Sequence, residues 1–161
     1  MPDTAPSSSH KLLAWHGWAL ELPDRWDPAK IEGDSAAGLV LLADLQRPRL
    51  GVRWRTLTKK QAVDASINKA MVEEVGQLAS TAAIAFIPPG GDWQAGKLYI
   101  ELDPPGRDVW IGFSRSTRRM FQLVHHVKRR DRMLAERILP ALRDDAAGQW
   151  SIFDLSCSVP G

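Results

Sequence analysis

The sequence predicts an α+β fold in which an antiparallel sheet of about six or more strands packs with two helices. Apolar and polar residues alternate over short stretches in the first half of the chain and again between residues 97 and 128, which is the period of a half-buried strand. Apolar residues repeat at helical spacing over 59–78 and 130–144. With 161 residues, 44% of them hydrophobic, the chain is long enough to bury one core.

The first elements are short strands. Trp18, Leu20 and Leu22 fall on one face of an amphipathic strand, which we predict over residues 13–22. Three more strands are predicted over 28–33, 38–45 and 49–56. Arg47-Pro48 separates the last two apolar runs and indicates the turn of a hairpin.

The first helix begins near a recognisable start signal. Thr58 and Gln61 have the spacing of a capping box, in which the two side chains satisfy free backbone N–H groups at a helix start. Apolar residues then recur at helical intervals: Val63, Ile67, Ala70, Met71, Val75 and Leu78. We therefore predict a helix over 59–78.

The second half returns to strands before a second helix. Residues 84–87 form a short apolar run that Pro88-Pro89-Gly90-Gly91 terminates. Three antiparallel strands are then predicted over 97–103, 108–114 and 119–128. A helix over 130–144 carries Leu134, Ile138 and Leu142 on one face, and Pro140 should kink or shorten it.

We predict one α+β domain over residues 13–148, after a disordered leader over 1–12. Residues 149–161 read as a C-terminal strand, which is either an edge strand or the start of a truncated repeat. An unpaired strand there would favour a homo-oligomer. The leader has no apolar signal core, and no apolar run approaches the roughly 20 residues of a membrane helix. With a single cysteine, we expect a cytoplasmic protein without membrane contact.

The opening strand and the order of elements carry a resemblance to a known group. Gly17-Trp18-Ala-Leu20-Glu-Leu22-Pro23-Asp-Arg-Trp26 precedes further strands, a helix, a strand meander and a closing helix. This order resembles the PsbP-like superfamily, which includes extrinsic photosystem proteins, a Ran-binding import factor and DcrB-type proteins. The resemblance covers roughly residues 13–144. It implies a sandwich of an antiparallel sheet and helices that works by binding other proteins rather than by catalysis.

The motifs of the chain predict no cofactor and no metal site. Gly91 to Lys97 fits the spacing of a phosphate-binding loop, but Leu98 stands where that loop requires a hydroxyl. His125 and His126 are neighbours on a strand, so they point to opposite faces and should not chelate one metal. We expect one of them to be a buried structural histidine. A small enzyme that pairs one histidine with a turn carboxylate stays open as a third alternative.

Charge is distributed unevenly along the chain. Ten basic and three acidic residues lie between Arg107 and Arg143, although the whole chain carries a formal net charge of only +2. The positive electrostatic field of such a basic segment attracts an acidic partner. A second basic feature is the strand with Arg49, Arg53 and Arg55 on one side and apolar residues on the other.

We therefore expect a non-catalytic protein-binding or assembly module whose partner has an acidic surface. The candidate partner-binding residues are five arginines and two tryptophans: Arg115, Arg118, Arg119, Arg129, Arg130, Trp93 and Trp150. Nucleic acid bound by the same arginine-rich region is the alternative, with Trp110 stacked on a base.

Overall fold

The computed structural model describes residues 10–45, 47–101, 106–127 and 132–144. Ten strands occupy most of this part of the chain: β1 (His10–Trp15), β2 (Trp18–Pro23), β3 (Asp27–Gly33), β4 (Ala37–Ala43), β5 (Pro48–Thr56), β6 (Ile84–Ala85), β7 (Trp93–Ile100), β8 (Gly106–Ser114), β9 (Arg119–Val127) and β10 (Arg143–Asp144). They form a seven-stranded antiparallel sheet in the order β3-β4-β5-β9-β8-β7-β6 and a three-stranded sheet in the order β1-β2-β10. The predicted α+β class with an antiparallel sheet is confirmed.

The opening of the chain differs from the prediction. Instead of one strand over 13–22, β1 and β2 form a hairpin joined by His16 and Gly17. Both turn residues have positive φ, 48° and 87°, which is the conformation of the tight two-residue turns that suit the twist of a hairpin. β1 also begins at His10, inside the range 1–12 that was predicted as a leader.

Most later strands agree with their predictions. β4 and β5 are joined across Arg47-Pro48, and the Asp44 carboxylate accepts a 2.9 Å hydrogen bond from the Arg47 N–H to close the turn. β7 starts at Trp93, four residues before the predicted start at 97. Pairing of β5 with β9 joins the first three strands of the large sheet to the last four.

The first helix is shorter than predicted. It divides into α1 (Val63–Val75) and α2 (Gln77–Ser80) at Gly76, whose φ of 94° breaks the helical path. The Thr58 N–H donates to the Gln61 side chain over 2.7 Å, so half of the capping box forms, but it closes a turn ahead of the helix. Leu78, predicted on the buried face, is 87% exposed in α2.

Helix α1 covers part of one face of the large sheet. Its buried side chains pack on strands β7 and β8 and on neighbouring residues. The resulting cluster contains Leu57, Ile67, Ala70, Met71, Val109, Ile111, Phe113 and Met120.

The small sheet and a short C-terminal helix cover the opposite face. A π-helical segment, Leu134–Ile138, continues into α3 (Leu139–Ala141), so the helix predicted over 130–144 is real but shorter. Its predicted apolar residues Leu134, Ile138 and Leu142 are buried as expected. None of the helices in the described ranges is both long enough and apolar enough to cross a membrane.

An aromatic cluster fills the centre of the core between the two sheets. Trp18 of the small sheet lies 5.2 Å from Trp54, and Trp93 lies 5.5 Å from Phe121, measured between ring centroids. The second pair is edge-to-face, an arrangement that adds about 0.5–1.5 kcal/mol beyond the area the pair buries. The indole N–H groups of Trp54 and Trp110 donate to backbone carbonyls.

One buried ion pair joins the two sheets. Arg119, at the start of β9, pairs with the carboxylate of Asp144 on β10. Their side chains are 5% and 0% exposed. The hydroxyl of Thr117 donates to the same carboxylate.

Arg119 also ties down two turns. Its Nη1 donates to the carbonyl of His16 over 2.8 Å and to that of Ser35 over 2.9 Å. The β1–β2 turn and the β3–β4 turn are therefore fixed to the start of β9. In the second turn, backbone N–H groups of Ala36 and Ala37 donate to Asp34 and lower the pKa of that carboxyl.

We predict that Asp144→Ala lowers the free energy of unfolding by about 3–5 kcal/mol, because it leaves a buried guanidinium without its carboxylate. Urea unfolding followed by tryptophan fluorescence measures the change. Asp92→Ala is the control, since it removes an exposed ion pair with Arg115 and should cost no more than about 1 kcal/mol. Equal losses for the two variants would contradict the role of the buried pair.

Candidate functional site

Two of the predicted partner-binding residues are core residues. Arg119 is only 4% exposed, and its guanidinium is paired with the carboxylate of Asp144. Trp93 is 7% exposed and packs edge-on against Trp110 and Phe121. Neither side chain reaches the surface, which corrects their assignment to a partner-binding surface.

Two others lie at the turn between β8 and β9. Arg115 is exposed and its Nη1 lies 3.1 Å from a carboxylate oxygen of Asp92. Arg118 has a φ of 61°, donates to the Thr58 carbonyl over 2.8 Å and lies 5.4 Å from the centre of the Phe113 ring. Local contacts therefore hold both guanidinium groups. The remaining three predicted residues, Arg129, Arg130 and Trp150, lie outside the described part of the chain, as does the C-terminal segment 149–161.

The structure shows a different basic surface, on β4 and β5. The alternation of apolar and basic residues along β5 indicates the same surface. Leu50, Val52 and Trp54 are buried in the core, so the intervening residues of β5 point to the other side of the sheet. We call this side of β4 and β5 the open face. It consists of Leu39, Leu41, Gly51, Arg53 and Arg55.

Helix α1 leaves the open face uncovered. It packs over β7 and β8 on the same side of the sheet, and its edge is marked by Glu74, which accepts a 2.7 Å hydrogen bond from Gln122 of β9. Arg53 lies directly opposite Gln122 on the neighbouring strand. Leu39 and Leu41 are half-buried and belong to neither core cluster.

A shallow apolar strip crosses the open face. Leu41, Gly51 and Val124 occupy one cross-strand row. A Cβ atom built on Gly51 would meet only the Cδ1 atom of Leu41, at 3.9 Å. A glycine in the interior of a strand commonly marks a place where another backbone approaches closely.

The arginines of the open face have no ionic partner among the described residues. Arg53 and Arg55 are exposed, and neither forms an ion pair or a side-chain hydrogen bond within that part of the chain. The carboxylate nearest them in the pairing pattern, Glu32, is already 3.3 Å from Lys30. Two guanidinium groups without an ionic partner in the described structure therefore lie beside the half-buried leucines of the open face.

A titratable residue, His126, lies on the same side of β9 as Val124. Partial burial, reinforced by the charges of Arg107 and Arg47, lowers the pKa of His126 below its ordinary value of 6.5, although Glu74 acts in the opposite direction. Arg47 has two guanidinium nitrogens, Nε and Nη2, that are buried without a hydrogen-bond acceptor in the described structure. Arg107 is itself paired with the carboxylate of Glu74.

We predict that acid destabilises the protein partly through His126. Because its pKa is lowered on folding, the unfolded chain binds the proton more readily, and the free energy of unfolding falls as the pH drops below about 6.5. His126→Gln should reduce this loss. Urea unfolding of both proteins at about pH 7.5 and about pH 5.5 measures it. An identical loss in the two proteins would show that His126 does not titrate as described.

Two further candidates from the sequence analysis, Trp110 and His125, are buried. Trp110 is fully buried and donates to the Phe86 carbonyl over 2.9 Å, so it cannot stack on a nucleic acid base, contrary to the expectation from sequence. His125 is buried against Trp26 and lies opposite Asp108, which is also buried. As predicted, one histidine of the pair is buried and the two point to opposite faces.

Two cavities of about 360 Å³ are bordered by different sets of residues, and neither is lined by His125 or His126. One lies between β2 and the C-terminal helix, next to Glu21 and Arg137. Within the described ranges, no group of three or more His, Cys, Asp or Glu residues is placed to hold a metal ion.

A scan against models of known protein families gives no match, and a search of curated proteins finds no relative. The resemblance to the PsbP-like superfamily therefore stays a prediction from element order.

Proposed function

We propose that this protein is a non-catalytic binding module that holds an acidic partner protein on the open face. The observation that carries the proposal is the pair of exposed arginines, Arg53 and Arg55, beside a strip of half-buried leucines that no described element covers. Apolar contact supplies affinity, and the unpaired guanidinium groups select for carboxylates.

The chemistry of the surface favours a protein over a nucleic acid. Five of the six described tryptophans are buried, so the described part of the open face lacks an aromatic platform on which a base could stack. The leucines of the strip also suit an apolar side chain better than a phosphate backbone. The resemblance to the PsbP-like superfamily points in the same direction, since it implies a fold that works by binding other proteins.

We propose a cytoplasmic location for this activity. The sequence contains a single cysteine, and a protein that relies on a large apolar core rather than on disulfides suits a reducing compartment.

We predict that Arg53→Glu combined with Arg55→Glu lowers partner recovery by about tenfold or more, because the variant places like charges opposite the partner's carboxylates. The measurement is affinity capture by the tagged full-length protein from nuclease-treated lysate of its native cells, with captured proteins identified by mass spectrometry. Arg137→Glu is the matched control, an exposed arginine on the C-terminal helix, on the other side of the molecule.

Recovery of a defined protein that survives nuclease, is kept by the control and is lost by the double variant supports the proposal. A partner that is lost on nuclease treatment would instead favour nucleic acid. A partner kept equally well by all three proteins would place the binding surface elsewhere.

A further inference from the structure

The open face is wide enough to hold a second helix beside α1. On this side of the large sheet, α1 lies over β7 and β8. In the strand order β5-β9-β8, β5 is two strand intervals from β8. Neighbouring strands are about 4.8 Å apart, so a helix centred on β5 would lie about 10 Å from one centred on β8.

That separation is the one at which helices normally pack. Interaxial distances between packed helices are about 8–10 Å. A second helix over β5 would therefore sit beside α1 in a single layer, in contact with both the sheet and the helix. The uncovered half of the sheet is wide enough for one helix, whose diameter with side chains is about 10–12 Å.

The residues under this position fit a helix as well. Gly51 lies at the centre of β5 and has no side chain, so a helix can approach the sheet closely at this point. Leu39 and Leu41 on one side and Val124 on the other provide apolar contacts along its length. The strip thus matches the narrow apolar stripe of an amphipathic helix.

The arginines of the open face indicate which side chains a docked helix would carry beside its apolar residues. Arg53 and Arg55 follow Gly51 along β5, and neither is neutralised within the described residues. Arg107, farther along the same side of the sheet, is already paired with Glu74 of α1. A helix with carboxylates beside its apolar stripe would therefore complement Arg53 and Arg55.

We infer that the partner docks an acidic amphipathic helix over β5, parallel to the sheet and beside α1. This inference rests on the proposed function, because it names the partner structure that the open face accepts. The occupant is a helix of another protein, which completes the helical layer that α1 begins.

The experiment uses three fluorescent 18-residue peptides and the full-length protein. In the first peptide, Leu recurs at three- and four-residue intervals among Glu residues, so that it forms an acidic amphipathic helix. The second has the same composition, with its Leu residues at alternate positions of one central stretch, which favours a strand. The third replaces every Glu of the first with Lys. Fluorescence anisotropy measures binding, and amide chemical shifts map the site.

We expect the acidic helical peptide to bind at least about tenfold more tightly than the other two, and its shifts to centre on Leu41, Gly51 and Val124. Gly51→Phe should weaken this binding by about tenfold, because the ring fills the space over β5. Arg137→Glu should leave it unchanged. The open surroundings of Gly51 allow the substitution without disturbing the core, which an unchanged unfolding transition verifies.

Equal binding of the alternating peptide, or no effect of Gly51→Phe, would show that the partner does not bind as a helix over β5. An acidic partner in another conformation would then be the occupant. Without peptide, the amide chemical shifts of the same residues could change with protein concentration. That result would place a second copy of the protein on the open face and overturn the inference. Failure of all three peptides, with successful capture of an Arg53- and Arg55-dependent partner, would overturn the inference and not the proposed function. Failure of the capture as well would overturn both.

Discussion

The buried ion pair between Arg119 and Asp144 is the contact on which the arrangement of this molecule depends. A guanidinium in a core is costly unless its charge and its N–H groups are satisfied. Here a carboxylate and the backbone carbonyls of two turns satisfy them, and each belongs to a different segment of the chain. One side chain therefore fixes the small sheet, both opening hairpins and the central strand of the large sheet relative to one another.

That arrangement makes the two sides of the large sheet unequal. The small sheet and the C-terminal helix cover one side, and an aromatic cluster fills the space between them. On the other side, α1 packs over β7 and β8 and reaches β9 at Glu74, which accepts a hydrogen bond from Gln122. Within the described residues this layer is incomplete, which leaves the open face, and the proposed binding function rests on its exposed arginines and half-buried leucines.

Local patterns predicted the elements better than the contacts between them. The alternation along β5 correctly separated Arg53 and Arg55 from the core, because a strand has a strict period of two. The break at His16-Gly17 was missed because two short strands with the same period read as one. The burial of Arg119 depends on Asp144, 25 residues away, and on two turns, so no local pattern reveals it.

The same limit applies to the site. Counting basic residues along the chain pointed to Arg115 and Arg118, whose charges turn out to be held by Asp92 and by backbone carbonyls. What distinguishes Arg53 and Arg55 is the absence of a neutralising neighbour among the described residues and of a covering helix on that half of the sheet. Both properties arise from strand order and from where α1 ends, which pairing across the whole chain determines.

The most direct test is site-specific photocross-linking in the native cells, with a photoreactive amino acid placed at position 53 in one protein and at position 137 in another. The open face as the binding surface predicts a protein adduct from position 53 that is absent from position 137, with the cross-linked segment rich in Asp and Glu. Adducts of equal yield from both positions, or an adduct to nucleic acid from position 53, would contradict it.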